Sequence, residues 1–201
     1  MKLFYKPGAC SLSPHIVLLE AGLPFEIERV VDGKVGNGVD FRSINPKGYV
    51  PLLQLDDGQY LTEGAAIVQY LADRKPEAQL APANGTLERY RLQEWLNYVA
   101  TELHKGFSPA FRGTDESKKA ARDALQPKLA YVSKHLETHQ FLLGDRFTVV
   151  DAYLFTVTNW AQRVGLDLLP FAALVAYRER VAKRPAVHAA MLSEGLIKAQ
   201  A

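Results

Sequence analysis

A cysteine at the junction of a predicted strand and a predicted helix constrains the fold more than any other feature of the sequence. Residues 2–5 are predicted to form a short strand, and a helix is predicted to begin with Ser13 as its N-cap and Pro14 as its first residue. Cys10, the only cysteine of the chain, lies between them. A thiol beside a helix start meets unpaired backbone N–H groups and the positive end of the helix dipole, which favour the thiolate. Cys10 is therefore a candidate reactive sulfur; the alternative is a small buried core cysteine.

The composition excludes several classes of protein. The 201 residues include 24 basic and 22 acidic side chains without a long run of like charge, so no nucleic-acid partner is expected. A single cysteine excludes an internal disulfide and every multi-cysteine metal site, and we expect no metal. The longest apolar run, residues 168–177, contains Pro170 and is too short to span a bilayer. No signal-peptide core follows the first residue, which predicts a cytoplasmic protein without a membrane partner.

The first part of the chain is predicted to be an α/β unit. Residues 25–31 alternate apolar and polar side chains, as a half-buried strand does, and a glycine-rich loop follows at 32–39. Pro51 cannot donate to a strand ladder, so it must begin the strand predicted at 52–56 or lie at a sheet edge. A second strand at 59–61 and a helix that begins near Gly64 complete the unit, which we place at residues 1–78.

The remainder of the chain is predicted to be helical. A linker rich in proline and glycine spans residues 75–85, and a long helix follows that Pro109 must kink or end. Thr148 and Asp151 form a predicted capping box before a helix that is apolar nearly all round. A last predicted helix runs from about residue 171 to 183 and stops before Pro185. We place this second domain at residues 86–201.

The motifs together resemble one known family. A proline-initiated strand beside a strand-to-helix cysteine indicates a thioredoxin-like unit, and the whole chain resembles the glutathione transferases, within them the bacterial beta class. The segments that carry the resemblance are residues 10–15, 45–48, 50–51, 61–64, 66–71, 102–105, 144–145 and 148–154.

The resemblance implies a fold and an activity. The fold would be α+β followed by all-α: a thioredoxin-like glutathione-binding domain, then a helical domain that carries the hydrophobic-substrate side of an interdomain cleft. The protein would be a homodimer that conjugates the glutathione thiolate to small hydrophobic electrophiles. Glutathione would be the cosubstrate, and no other cofactor is expected.

The resemblance also implies roles for individual residues. Cys10 and His104 would be catalytic, and the Val50–Pro51 bond would be cis. The spacing along the long helix agrees with this: Asn97, Thr101 and His104 follow one helical line that Phe107 and Phe111 continue, which predicts a wall polar at one end and aromatic at the other. Glutathione would contact Ser11, Lys34, Val50, Pro51, Glu63, Gly64, Asn97, Thr101, Glu102 and Lys105, some of them across the dimer, and the electrophile would contact Phe107, Phe111 and Trp160. For Glu63 the alternative is a plain helix cap, and for Trp160 it is core packing.

Two other functions stay open at this point. A glutathione-dependent thiol reductase or dehalogenase would use Cys10 itself as the nucleophile, through a mixed disulfide. Cys10 and Ser13 have the spacing of a C-x-x-S motif, which lacks an internal thiol to resolve such a disulfide and so favours holding glutathione. A non-catalytic binding protein with the same fold is the third possibility, and it would have no need of Cys10, Glu63 and His104 together.

Overall fold

The N-terminal part of the chain combines strands and helices in an α/β unit, as predicted. The computed structural model describes residues 1–36 and 38–198. The strands are β1 (Lys2–Tyr5), β2 (Glu26–Arg29), β3 (Lys34–Val35), β4 (Val39–Asp40), β5 (Leu52–Gln54) and β6 (Tyr60–Thr62), and the helices are α1 (Leu12–Glu20) and α2 (Gly64–Asp73), with short 3₁₀ turns at Phe41–Ser43 and Pro76–Ala78. One sheet has the order β2-β1-β5-β6, with β1 parallel to β2 and antiparallel to β5. This mixed sheet with helices is the thioredoxin-like arrangement.

Strand β1 organises the sheet. Its Leu3 lies opposite Ile27 of β2 and Leu53 of β5, and Leu3 and Leu53 are fully buried. The parallel pairing of β1 with β2 requires a crossover, which α1 supplies. Residues 12–18 of α1 are all buried, so this helix is enclosed on every side. The sheet therefore places the end of β1, and with it Cys10, beside the start of β5.

Helices make up the rest of the chain. They are α3 (Leu87–Tyr98), a π-helical segment (Val99–His104), α4 (Lys105–Phe111), α5 (Asp115–Leu136), α6 (Val149–Thr158), α7 (Trp160–Arg163), α8 (Ala172–Ala182) and α9 (Pro185–Ser193). Every residue of α6 is buried, as its apolar pattern predicts. The predicted capping box at its start is confirmed, because Thr148 and Asp151 make both of the reciprocal hydrogen bonds. Within the described part of the chain, none of the helices combines the length and apolarity that a membrane span needs.

Two compact units divide the chain. The first combines Met1–Leu80 with the segment that begins at Pro185, and the second is Ala81–Arg184. The predicted second domain, residues 86–201, instead included that last segment. The physical reason for the difference is that α9 packs on α1, with its Val187 and Ala190 fully buried.

The structure corrects two helix boundaries. Helix α1 begins at Leu12, not after Ser13, which lies inside the first turn with a buried hydroxyl that has no hydrogen-bond partner among the described residues. Ser11 is the N-cap residue, so the predicted cap at Ser13 is wrong. Pro185 was expected only to stop a helix, yet it begins α9, since a proline in the first helical turn gives up an N–H that has no partner there. Pro109 lies inside α4, which ends soon afterwards at Phe111.

Candidate functional site

The cysteine lies against the strand that begins with the proline. Cys10 is half-buried, and its Sγ lies 3.2 Å from the carbonyl oxygen of Val50, to which the thiol donates. The Val50–Pro51 bond is cis, as the resemblance implies. Both residues come from the same sheet, since β1 leads into the cysteine turn and β5 follows Pro51. The thiol and the backbone of residue 50 are therefore held beside one another.

The side chain of Ser11 closes the cysteine turn. Its hydroxyl accepts a hydrogen bond from the Lys6 N–H at 3.1 Å and donates to the Lys6 carbonyl at 3.2 Å. The residue is fully buried. Ser11 was predicted to contact glutathione; the contacts of its side chain are those of a residue that fixes the turn.

A carboxylate from the C-terminal segment holds the same turn, and the sequence analysis missed it. The N–H of Gly8 donates to Oε2 of Glu194 at 2.8 Å, and Oε1 of Glu194 lies 2.9 Å from Nδ1 of His15. The side chains of Glu194 and His15 are 0% and 2% exposed. Glu194 thus connects the residues before and after Cys10. No local pattern could have found this pair, because about 180 residues separate its members along the chain.

The start of α2 carries an exposed acid in an unusual backbone conformation. Glu63 is the N-cap residue of α2 and has φ 69° and ψ 113°, values that side-chain-bearing residues rarely adopt. Its carboxylate makes no capping hydrogen bond, which speaks against a plain helix cap. Instead, Nζ of Lys47 lies 2.5 Å from Oε1 of Glu63 and 2.9 Å from the Thr62 hydroxyl. Gly64 follows as the first helical residue. This corner presents an acid, a cation and a helix N-terminus together.

Lys47 was not among the predicted site residues, although its segment carried the family resemblance. Its hydrogen bond to Glu63 raises the pKa of its ammonium above the ordinary value. Lys34, which was predicted, lies in β3 and is exposed. It lines a pocket of about 400 Å³ together with Asp32 and Arg42. The first unit therefore offers several cations near its loops for an anionic ligand.

His104 of the second unit is surrounded by aromatic rings. It ends the π-helical segment, and its Nδ1 lies 2.6 Å from the hydroxyl of Tyr153 on α6. The ring of Trp160 meets the imidazole edge-on, with 4.9 Å between the ring centres. Tyr153 is a functional candidate that the sequence analysis missed, since 49 positions separate it from His104.

The three residues predicted to contact an apolar substrate form one cluster. Phe107 and Phe111 both pack edge-on against Trp160, with ring centres 5.9 Å and 5.8 Å apart. Phe107 is fully buried and Trp160 nearly so, whereas Phe111 is 40% exposed. The indole therefore packs in the core, and Phe111 gives the cluster a face that a ligand can reach.

The predicted polar line along the long helix consists of Asn97, Thr101 and His104. Asn97 and Thr101 are exposed, His104 is half-buried, and the Thr101 hydroxyl donates to the Asn97 carbonyl at 2.9 Å. Of the other residues predicted to bind glutathione here, Lys105 is exposed, and Glu102 forms an ion pair with Lys128 of α5 at 2.8 Å. Beside this pair lies a groove of about 620 Å³ that includes Trp95, Tyr98, Thr101, Glu102 and Tyr131 in its lining.

Comparisons with known proteins agree on one family. The family models described as glutathione S-transferase N-terminal and C-terminal domains match residues 8–74 and 98–185. The chain is 50% identical over 200 residues to the glutathione S-transferase GstA of Escherichia coli O157:H7, covering 98% of this chain and 100% of that protein.

Solved structures show the same likeness. A bacterial beta-class glutathione S-transferase of Sphingomonas chungbukensis is 47% identical with a TM-score of 0.95, covering 98% of this chain and 100% of that one. A sphingomonad glutathione S-transferase, solved in complex with glutathione, is 45% identical with a TM-score of 0.94 and the same coverage.

Proposed function

This chain belongs to the glutathione S-transferase family, and we propose that it transfers the thiolate of glutathione to small electrophilic, hydrophobic compounds. The observation that carries this proposal is the contact between the Cys10 thiol and the backbone carbonyl of Val50 in the first unit. The exposed, strained acid Glu63 at the start of α2 supports it. The glutathione found bound to a sphingomonad relative gives the ligand its identity.

Glutathione offers an ammonium, two carboxylates and a thiol, and the chain has a partner of suitable chemistry for each. We propose that Glu63 receives the γ-glutamyl ammonium, while the N–H of Gly64 at the N-terminus of α2 receives the adjacent carboxylate. Lys34 would pair with the carboxylate of the glycine. The backbone of Val50, fixed before Pro51, would hold the cysteinyl part as a strand neighbour does.

The sulfur chemistry would depend on Cys10 and His104. Both can stabilise a thiolate by donating hydrogen bonds, and the thiol proton would leave to solvent. The thiolate then attacks the electrophilic carbon, forming the C–S bond while the leaving group departs with its electron pair. The cluster of Phe107, Phe111 and Trp160 would orient the apolar partner. We propose that four polar residues of the second unit also bind glutathione, some of them from the partner copy of a homodimer: Asn97, Thr101, Glu102 and Lys105.

The homodimer is supported by apolar side chains on the surface of the second unit. Leu87 and Tyr90 of α3 and Tyr131 of α5 are between 56% and 66% exposed. An association of two copies would remove such surface from water.

We also propose a cytoplasmic location, because a reduced thiol at Cys10 persists in a reducing compartment.

A second candidate function uses Cys10 as the nucleophile. Its thiolate would attack the glutathione sulfur of a disulfide or of a glutathione adduct and form a mixed disulfide, while the other thiolate, or the carbon group of the adduct, departs with the electron pair and takes up a proton. Since this chain has no other cysteine, the thiolate of a further glutathione would then free Cys10 and form oxidised glutathione. The half-buried position of Cys10 is compatible with both reactions.

Steady-state kinetics of the Cys10→Ala and His104→Ala variants test the two functions. With an activated aryl halide as the electrophile, His104→Ala should lower kcat roughly tenfold to a hundredfold and change the KM for glutathione much less. Cys10→Ala should keep measurable conjugation, lowered only by the loss of one hydrogen-bond donor, but should lose thiol–disulfide exchange entirely. Conjugation that is unchanged in His104→Ala would remove His104 from the mechanism, and conjugation that disappears with Cys10 would favour the covalent route.

A further inference from the structure

A buried tyrosine faces one nitrogen of the His104 ring. Tyr153 is 4% exposed, and its ring meets the imidazole edge-on with 5.9 Å between the ring centres. Trp160 packs against the same imidazole, nearly perpendicular to it at an interplanar angle of 71°. These two contacts fix the plane of the ring. Nδ1 is therefore turned toward Tyr153, and Nε2 lies on the opposite side of the ring.

The chemistry of the two groups indicates which one donates. The Tyr153 oxygen and Nδ1 of His104 are 2.6 Å apart, within hydrogen-bond distance. A phenol O–H is a more acidic donor than the N–H of a neutral imidazole, and an imidazole nitrogen is a more basic acceptor than a phenol oxygen. The contact therefore favours the phenol as the donor and Nδ1 as the acceptor. A neutral imidazole that accepts at Nδ1 carries its proton on Nε2.

We propose that Tyr153 is a positioning residue for His104: its hydroxyl donates to Nδ1 and thereby holds the imidazole with the proton on Nε2. In this state Nε2 is a hydrogen-bond donor, able to stabilise an anionic sulfur, and it has no lone pair with which to remove a thiol proton. The relevance of this state to catalysis rests on the conjugation function proposed above. The tautomer itself is a property of the protein without ligand.

Nuclear magnetic resonance of the full chain tests the tautomer without glutathione. In protein labelled with ¹⁵N-histidine, two-bond proton–nitrogen correlations distinguish a ring protonated on Nε2 from one protonated on Nδ1, and the His104→Gln variant assigns the signal. We expect the wild-type ring to carry its proton on Nε2 alone. In Tyr153→Phe, which keeps the buried ring, the Nδ1-protonated form should become measurable. A wild-type proton on Nδ1, or an identical tautomer ratio in Tyr153→Phe, would overturn the proposal.

A second buried tyrosine provides the matched control. Tyr177 of α8 is fully buried, and its hydroxyl donates to Asp151 rather than to a histidine. Like Tyr153→Phe, the Tyr177→Phe variant removes the hydroxyl of a buried tyrosine in the second unit, so any general loss of packing affects both variants. The His104 signals of Tyr177→Phe should match those of the wild type. If both variants change the tautomer ratio alike, the effect is one of general packing and the proposal fails.

Steady-state kinetics then tests whether Nε2 of His104 acts as a hydrogen-bond donor or as a base. Tyr153→Phe should lower kcat for conjugation roughly threefold to tenfold, the effect of one hydrogen bond, with the KM for glutathione within about twofold. The amide nitrogen of glutamine lies near the position of Nε2, and that of asparagine near Nδ1. His104→Gln should therefore retain more activity than His104→Asn. Equal losses in the two variants, or a larger loss in His104→Gln, would contradict a donor at Nε2.

Discussion

At the residue scale, Glu63 has the most unusual conformation of the candidate site. A positive φ at a residue with a side chain costs on the order of 1–3 kcal/mol and persists where the surroundings enforce it. Here α2 begins at the next residue, and Lys47 binds the carboxylate. Strain at an exposed acid is consistent with selection for ligand binding rather than for stability, because the acid caps no helical N–H.

The Glu63→Ala variant should therefore bind glutathione roughly tenfold or more weakly, since it loses a charge-assisted contact with the ligand ammonium. Its thermal stability should remain close to that of the wild type. Calorimetric titration measures the affinity. The matched control is Glu77→Ala, which removes an exposed acid paired with Lys75 at 2.8 Å. An equal loss of affinity in both variants would contradict the role assigned to Glu63.

At the element scale, one buried acid connects the segment after α9 with the cysteine turn and α1. Glu194→Ala removes the carboxylate that accepts from the Gly8 N–H and contacts the His15 ring. Removing one partner of such a buried contact costs about 2–4 kcal/mol. Urea unfolding should report this loss, and glutathione affinity should fall with it because Gly8 belongs to the cysteine turn. Glu137→Ala, at an exposed pair with Lys134, should change stability by less than about 0.5 kcal/mol. Equal stability of the two variants would refute the importance of this contact.

The capping box of α6 should make stability depend on pH. Burial raises the pKa of Asp151 to about 6, from an ordinary value of 3.8. The unfolded chain therefore loses this proton at lower pH than the native protein does. The contribution of the protonated acid to stability is present below about pH 4 and lost as the pH rises through about 6, a change of about 3 kcal/mol.

Urea unfolding of the wild type and of Asp151→Asn from about pH 4 to about pH 7 measures this effect. The asparagine does not titrate. As the pH rises across that interval, the unfolding free energy of the wild type should therefore fall relative to that of Asp151→Asn. A difference that stays constant, or that grows in favour of the wild type, would show that the hydrogen bonds from Leu142, Thr148 and Tyr177 outweigh the burial of the charge.

Elements specified by neighbouring residues were predictable, whereas those that depend on distant partners were not. The strand before Cys10, the strand after Pro51 and the capping box of α6 each follow from a few adjacent side chains, and all three were predicted. Helix α9 was missed because Pro185 suits a helix start as well as a stop, and only its packing on α1 decides. The Tyr153–His104 and Glu194–His15 contacts likewise join residues far apart along the chain. The π-helical segment that ends at His104 leaves no pattern of its own in the sequence.

At the scale of the whole molecule, each unit carries a different part of the proposed chemistry. The first unit has the cysteine turn and the acid at the start of α2, which suit a charged tripeptide. The second has His104 beside the aromatic cluster around Trp160, which suits a sulfur and an apolar compound. The proposed function therefore draws on residues of both units.

Calorimetric titration of the full-length wild-type chain with reduced glutathione tests this account most directly. We expect binding in the micromolar to low-millimolar range that saturates near one glutathione per chain and weakens in Glu63→Ala. Heat that cannot be distinguished from dilution would contradict the central claim. It would mean that the fold and its cysteine turn are retained without the cosubstrate, and the function would then have to be sought among binding proteins of the same fold.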